Sequence, residues 1–471
     1  FFVLLTIQLA LHRGHGLHFR ARSTAAAALA LLTKSTAIVT APLLMVVDWL
    51  EKGAGSWTSL VRRHRLVIGL SGLYLLLIWM NGFLPRSLER EAIPLVQRLM
   101  TQVKALIHYL QTLVMPVALS PEPPFLLSTS ASLVVLCALA LLASLVVVVI
   151  ALNRQRFRGP MAFALWMICC LAPAGLAPLN VLVNDRRLYL PMAGVAIAVA
   201  AFGPLLRRGR WTHGMVVGSL VLLVLLALLS LQRSQIWADD LQLWQDAVTT
   251  GPMMPRAQLY LGDAHLRALE TGDTAHRASA RRAYEQVLAL KPRQQMLSMQ
   301  AGNGLAWLDL SEGRLSEALL RLEAIVADSP GYCDAWVNLG SAHYQAGLQG
   351  QSGALEKALH AYDRALGLRP GRWEAHLNRG AVLQVTGRLD EAEEAYRHAI
   401  RLMPTQSGAA MNLGGLFMLR ARLATDLNQR IRHWQQARGA YQQAALLGNP
   451  VAVRAIQATQ DSMASNRGGA R

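Results

Sequence analysis

Three groups of residues in this chain combine types and spacing that could do chemistry. Residues 184–191, NDRRLYLP, place Asp185, Arg186, Arg187 and Tyr189 between two long apolar stretches. Neighbouring guanidiniums suit phosphate oxygens, a tyrosine can stack or bond beside them, and a carboxylate can orient one of the arginines. Lys34 interrupts the apolar run 24–50, and an ionisable group in such a run is a functional candidate by default. Asn338, Asn378 and Asn412 each stand two residues before a glycine, at Gly340, Gly380 and Gly414, and an amide there offers both donors and acceptors.

The elements that must position these residues fall into two unlike halves of the 471-residue chain. Residues 1–232 hold 20 Lys and Arg but only six acids, giving +14 of the net +18. Residues 233–471 carry the remaining 26 Lys and Arg against 22 acids. Six acids in 232 residues suit a membrane domain with basic cytoplasmic loops better than a nucleic-acid binder, so no nucleic-acid partner is expected. Cys137, Cys169, Cys170 and Cys333 lack metal-ligand spacing and imply no disulfide framework, and no metal site is expected. The opening FFVLLTIQLAL reads as the stump of a hydrophobic segment, hence an N-terminally truncated chain.

A spanning helix needs about 20 mostly apolar residues. Segments 67–85, 127–152, 161–183, 190–206 and 213–232 meet that need, so residues 1–232 are expected to form a polytopic membrane domain. Segment 24–50 is either a hairpin of two short helices turning at Lys34 or a single span. Basic loops at 12–23, 51–66, 153–159 and 207–212 are assigned to the cytoplasm, which puts everything after 232 outside, as in the periplasm of a bacterial inner-membrane protein. NDRRLYLP is then an outer loop at the membrane surface. Two readings of it stay open: Arg186 and Arg187 snorkel to lipid phosphates with Asp185 as partner, or they seat the phosphate of a lipid-linked substrate. Residues 108–125, HYLQTLVMPVALSPEPPF, read as an interfacial helix lying along the membrane and ended by Pro116.

From 255 the chain repeats itself. WEAHLNRGAVLQVTGRLDEAEEAYRHAIRLMP, residues 373–404, has Gly380, Gly387, Ala392, Tyr396, Ala399 and Pro404 at the spacing of a 34-residue tetratricopeptide repeat. The same frame fits 257–292, 304–330 with Ala306 in the glycine position, 335–370, and 408–450, giving five repeats over 255–450 and a polar tail over 451–471. Stacked repeats of this kind build a superhelix whose groove takes a peptide or helix, and the recurring asparagines are candidates to hold its backbone, against solvation or helix capping as the plainer role. Residues 233–254 read as a docking helix with Trp237, Leu241 and Trp244 on one face and Asp239 and Asp240 on another; packing outweighs sugar binding for the tryptophans. The fold class expected is all-α: a polytopic helical membrane domain followed by a repeat superhelix.

Three stretches, 31–50, 171–194 and 236–262, resemble the transmembrane and tetratricopeptide-repeat containing protein family and its bacterial relatives. Thr33-Lys34-Ser35 stands in the family's Ser-Lys-Glu segment; Asp185, Arg186, Tyr189 and Pro191 match its acid-Arg-aromatic loop, with Arg187 departing from it. The resemblance implies a polyprenyl-phosphate-sugar-dependent glycosyltransferase-like membrane domain. It also implies inverting O-glycosyl transfer from a polyprenyl-phosphate sugar to protein hydroxyls, with membrane lipids and a groove-bound protein as partners. Lys34, Arg186, Arg187 and Tyr189 are the expected lipid-phosphate contacts and Asp185 the residue that orients them, while the catalytic base is expected upstream of residue 1. No cofactor beyond that donor sugar is implied. The alternative is a non-catalytic, membrane-anchored repeat scaffold for envelope protein complexes. A transporter is disfavoured, because the spans carry no paired acids and no second half mirrors the first.

Overall fold

Leucine- and alanine-rich runs punctuated by Gly and Pro produce helices almost throughout the computed structural model, which describes residues 2–11, 17–33, 35–52, 57–82, 94–114, 119–154, 158–176, 190–194, 213–270 and 275–468. The chain divides into two compact units, Phe1–Leu261 and Gly262–Arg471.

In the first unit, α1 (Phe2–Leu11) packs along α2 (Leu17–Thr33), where Ser23 Oγ donates to the Thr6 carbonyl at 3.2 Å. A 3-10 turn, Ser35–Val39, leads into α3 (Thr40–Lys52). Segment 24–50 is thus broken beside position 34, and α2 lies against α1 and α4 (Trp57–Met80) while α3 lies against α4 and α7 (Arg158–Leu176). Among the described residues the two halves of the segment do not pair as a hairpin. Asp48, almost fully buried on α3, pairs with Arg63 on α4 and lies 3.5 Å from His64 Nε2, so a buried carboxylate is matched by cations from the neighbouring helix.

Helix α5 (Leu95–Val114) is amphipathic, burying Ala105 and Tyr109 while Leu95, Val96 and Leu99 stay exposed. It packs on α6 (Leu133–Arg154) and α7. The sequence reading ends this helix at Pro116, with a Pro-rich turn after it; the structure places the helix over 95–114, so it begins earlier, and residues 119–132 are non-helical, pinned where the Ser128 amide donates to Thr101 Oγ1 at 3.0 Å. The serines and prolines of that stretch supply no helical pattern to extend α5.

Among the described residues, two helices are long and apolar enough to cross a bilayer, Thr58–Met80 and Leu133–Ala151, and both leave most of their surface uncovered. Ala37–Trp49 and Met161–Leu171 are apolar but shorter. Of the other expected spans, 190–206 is described only over its first five residues, and 213–232 belongs to the longer α8 (His213–Ala238). The polytopic arrangement therefore stays an expectation. Helix α4 also takes in Arg62, Arg63 and Arg65, which the sequence reading assigned to a loop.

The linker departs from its expected form as well. Trp237 lies in the last turn of α8, the chain breaks at Asp239, and α9 (Asp240–Thr250) starts anew with the Asp239 carboxylate accepting from the Gln242 amide at 2.7 Å. Trp244 does not face away from the acids: its indole N–H donates to Asp240 at 3.0 Å, and its ring lies 4.5 Å from that of Tyr260. This tryptophan packs, as the plainer of its two readings expects.

Helix pairs then follow: α10 (Pro255–Glu270) with α11 (His276–Ala289), α12 (Gln295–Ser311) with α13 (Leu315–Asp328), α14 (Cys333–Leu348) with α15 (Ala354–Leu368), α16 (Trp373–Val385) with α17 (Leu389–Leu402), and α18 (Ser407–Leu423) with α19 (Leu427–Leu446). The first member of each pair is its A helix and the second its B helix. Four of the five A helices set a glycine against a B-helix tyrosine: Gly262 on Tyr284, Gly340 on Tyr362, Gly380 on Tyr396 and Gly414 on Tyr441. A Cβ on Gly380 would come within 2.7 Å of the Tyr396 ring, so close approach demands glycine. In the second pair Ala306 takes the glycine position and Leu322 the tyrosine position, both fully buried: a larger small residue faces a smaller large one. The segment read as a polar tail is a further helix, α20 (Pro450–Gly468), which buries Ala452 and Thr459 and covers the apolar face of the last pair. Its alanines at positions 452 and 455, with Ile456, give the stripe that a reading by composition alone passes over.

Candidate functional site

Because A helices of successive repeats touch one another from the second repeat onward, residues on their shared face form a continuous surface there. Asn338 on α14, Asn378 on α16 and Asn412 on α18 occupy the same turn of that face and are each half-buried. The Asn338 amide donates across to Asn303 on α12 at 2.9 Å. The Asn378 amide reaches Ser341 on α14 in a long contact of 3.5 Å, and the Ser341 hydroxyl is 3.1 Å from that of Tyr362. Each such amide carries two donors and a carbonyl oxygen with two lone pairs, so one inter-repeat bond leaves it capacity for a ligand backbone.

The repeats are closed in a second way. Trp336 Nε1 donates to the Pro330 carbonyl at 2.8 Å, and His376 Nε2 meets the Pro370 carbonyl at 3.0 Å, one repeat further on. Both side chains sit two residues before the asparagine, so they fix the A helix that presents it. Burial lowers the His376 pKa, as do the neighbouring His398 and arginines, against the opposing bond to Pro370.

Where the second repeat should place its asparagine, it has Gly304. A Cβ at that position would meet the Tyr284 ring at 2.6 Å. The missing side chain opens a polar cavity of about 270 Å³ on the A-helix face, lined among others by Asp263, Tyr284, Asn303, Trp307, Tyr332 and Asn338. Tyr284 donates to Asp263 at 2.7 Å. Burial first, then the Asp263 charge, pushes the Tyr284 phenol above its usual range; burial and the charges of Asp334 and Asp263 do the same for Tyr332. Both phenols are neutral donors at any physiological pH.

Of the residues singled out from sequence, the structure brings Asn338 into this cavity and aligns Asn378 and Asn412 beyond it. Lys34, Asp185, Arg186, Arg187 and Tyr189 lie outside the described residues. Asp263, Asn303, Trp307 and Tyr332 are candidates that the sequence reading missed. Their signal was the loss of asparagine at 304 beside a retained tyrosine at 284, visible once the repeats are aligned.

The helix pairs and their Gly–Tyr contacts are those of tetratricopeptide repeats. The Tetratricopeptide repeat family TPR_16 matches residues 303–356 and 348–407, so the repeats are shown over that region. No curated protein matches the chain. Among solved structures, it is similar to a thermophilic TPR protein of Thermus thermophilus, 22% identical over 45% of this chain and 99% of that one, with a TM-score of 0.36. It is also similar to MamA, 22% identical over 36% of this chain and 92% of that one, with a TM-score of 0.29. A third is YrrB, described as a TPR protein with an unusual peptide-binding site, 16% identical over 43% and 95% of the two chains, with a TM-score of 0.31.

Proposed function

We propose that this protein is a membrane-anchored tetratricopeptide-repeat scaffold that holds an extended segment of a protein partner along the A-helix face of its repeats, on the extracytoplasmic side. The observation that carries the reading is the row of half-buried amides on successive A helices, Asn338, Asn378 and Asn412, running on from a polar cavity. Buried amides are costly unless bonded, and a backbone laid along them would satisfy their remaining donors and acceptors. Membrane anchoring is supported by the uncovered apolar surface of Leu133–Ala151 and Thr58–Met80. The side of the membrane is supported by the basic loops alone. The expectation of sugar transfer rests on Lys34, Asp185, Arg186, Arg187 and Tyr189, for which the structure offers no geometry, so the scaffold is carried forward.

The test is site-specific photocrosslinking in cells with the full chain. A photoreactive residue at Asn378 should trap a discrete protein adduct, while one at the exposed Glu394 on a B helix should not. Equal adducts from both positions, or none from either, would sink the reading. A carboxyl-terminal reporter active only in the cytosol should stay silent; activity would overturn the extracytoplasmic placement.

A further inference from the structure

We infer that the cavity beside Gly304 is a specificity pocket for a cationic side chain, lysine or arginine, of the bound peptide. The inference rests on the groove reading and deepens it. Among the described residues that line the cavity, Asp263 is the charged one, and it is accompanied by two phenols and an indole. An ammonium or guanidinium is drawn both to a carboxylate and to aromatic faces, whereas an acidic side chain is repelled by each. A carboxylate offers about four acceptor sites, so the bond from Tyr284 does not exhaust Asp263.

The geometry fits one long side chain and not a whole ligand. Asp263 stands on the first A helix, Trp307 on the second and Asn338 on the third, while Tyr284 floors the cavity where Gly304 carries no side chain. Trp307 is 37% exposed, so its ring is available at the rim. A backbone held at Asn338 could therefore drop a neighbouring side chain towards Asp263. The repeat half of the chain carries a net positive charge of +4, so general electrostatics would disfavour cationic peptides; a preference for them must come from a local carboxylate. Arg267, exposed one turn along from Asp263, acts on the Tyr284 phenol, as Arg369 and Arg372 act on Tyr332, so these positive charges oppose a ligand cation at the same place.

The experiment is a positional-scanning array of fluorescent nonapeptides, in which each position is varied through Lys, Arg, norleucine and Glu, read against the full chain in detergent. The expected result is one position at which Lys or Arg binds at least fivefold better than norleucine, with Glu weakest. Asp263→Asn should abolish that preference while peptides lacking the cation bind as before. Arg267→Ala should enlarge the preference, a gain that no folding defect can mimic. If peptides bind in a manner lost in Asn338→Ala and Asn378→Ala but no position prefers a cation, the pocket inference falls and the groove reading stands. If no peptide binds, or binding ignores both asparagines, the groove reading falls with it.

Discussion

The two units treat apolar side chains in opposite ways. On α6, Leu133 is 75% exposed and Val147 65%, so its leucines and valines face outward. In the repeats the interior is built instead of alanine, glycine and tyrosine, with Ala358, Ala392, Ala399 and Ala437 fully buried. The contrast teaches that hydrophobicity alone does not mark a core here. The repeat half is the less apolar in sequence and the better packed, because small residues at fixed spacing let helices approach closely and each tyrosine fills the gap so made. Among the described residues, the greasiest helix of the first unit is left largely uncovered.

Breaking the repeat half should have its largest effect at Asp309. This carboxylate is 1% exposed and lies 2.9 Å from Arg281, 2.8 Å from Arg314 and 3.5 Å from Arg321, joining the first two repeats. Burial alone would raise its pKa, but hydrogen bonds from Arg314 and Arg281 and the charges of Arg281 and Arg321 outweigh it, so the net direction is down. Asp309→Ala would leave three partly exposed arginines without their shared buried carboxylate, and the loss of its charge-assisted hydrogen bonds should cost about 3 kcal/mol or more. Hydrogen exchange over 276–328 in the full chain is the readout. Because the folded pKa is depressed, the wild-type contribution is present above the unfolded value of about 3.9 and fades as pH falls through the folded one. Protection that is unchanged in the variant would refute the account.

In the first unit the comparison predicts the reverse pattern. Val147→Lys removes no core contact, so it should leave helix content unaltered in detergent. In a bilayer the same charge costs about 2.5–3.5 kcal/mol near a helix centre, so insertion of Leu133–Ala151 should drop in a glycosylation-mapping assay. Unimpaired insertion would mean that α6 is covered by protein instead.

A third test concerns a carboxyl group that nothing compensates fully. Glu122, in the Pro-rich stretch after α5, is 8% exposed, and burial raises its pKa to about 7 against the opposing charge of Arg256 and a bond from the Ala257 amide. A carboxyl raised in this way favours folding below the unfolded value of about 4.3, and that contribution is lost as pH climbs to about 7. Glu122→Gln should therefore stabilise the protein by up to about 3 kcal/mol at pH 8 and by little at pH 4, measured as thermal midpoints at both. An equal shift at the two pH values would count against burial as the cause.

The repeat frame was legible in the sequence because its contacts are local: glycine, alanine and tyrosine at fixed offsets state which helix touches which. The groove asparagines were legible for the same reason. The cavity was not, since Asp263 and Tyr284 come from the first repeat, Trp307 from the second and Tyr332 from the entry to the third, and they meet only after stacking. Helix α20 was missed because short alanine stripes carry little hydropathy, and the Trp244–Asp240 contact because grouping the tryptophans with Leu241 passes over the fact that residues four apart share a helix face. In the first unit, hydropathy marked where apolar helices lie but not where they begin, since Arg62, Arg63 and Arg65 extend α4 by more than two turns beyond its apolar part.

The smallest effect expected tests the complementarity of helix pairs itself. Leu322→Tyr alone would drive a ring against the Ala306 methyl in a closed interior and should cost about 1–3 kcal/mol. Ala306→Gly alone removes a buried methyl from a helix interior and should cost about 1 kcal/mol through backbone entropy. Made together, the two changes rebuild the contact found at Gly380 and Tyr396, so their combined cost should fall below the sum of the separate ones. That coupling energy, read from urea unfolding of the full chain followed by Trp307 fluorescence, is the quantity that matters. Additive costs would mean that the second repeat packs by a rule of its own, and that the glycine–tyrosine pairs elsewhere are not what sets the spacing of the helices.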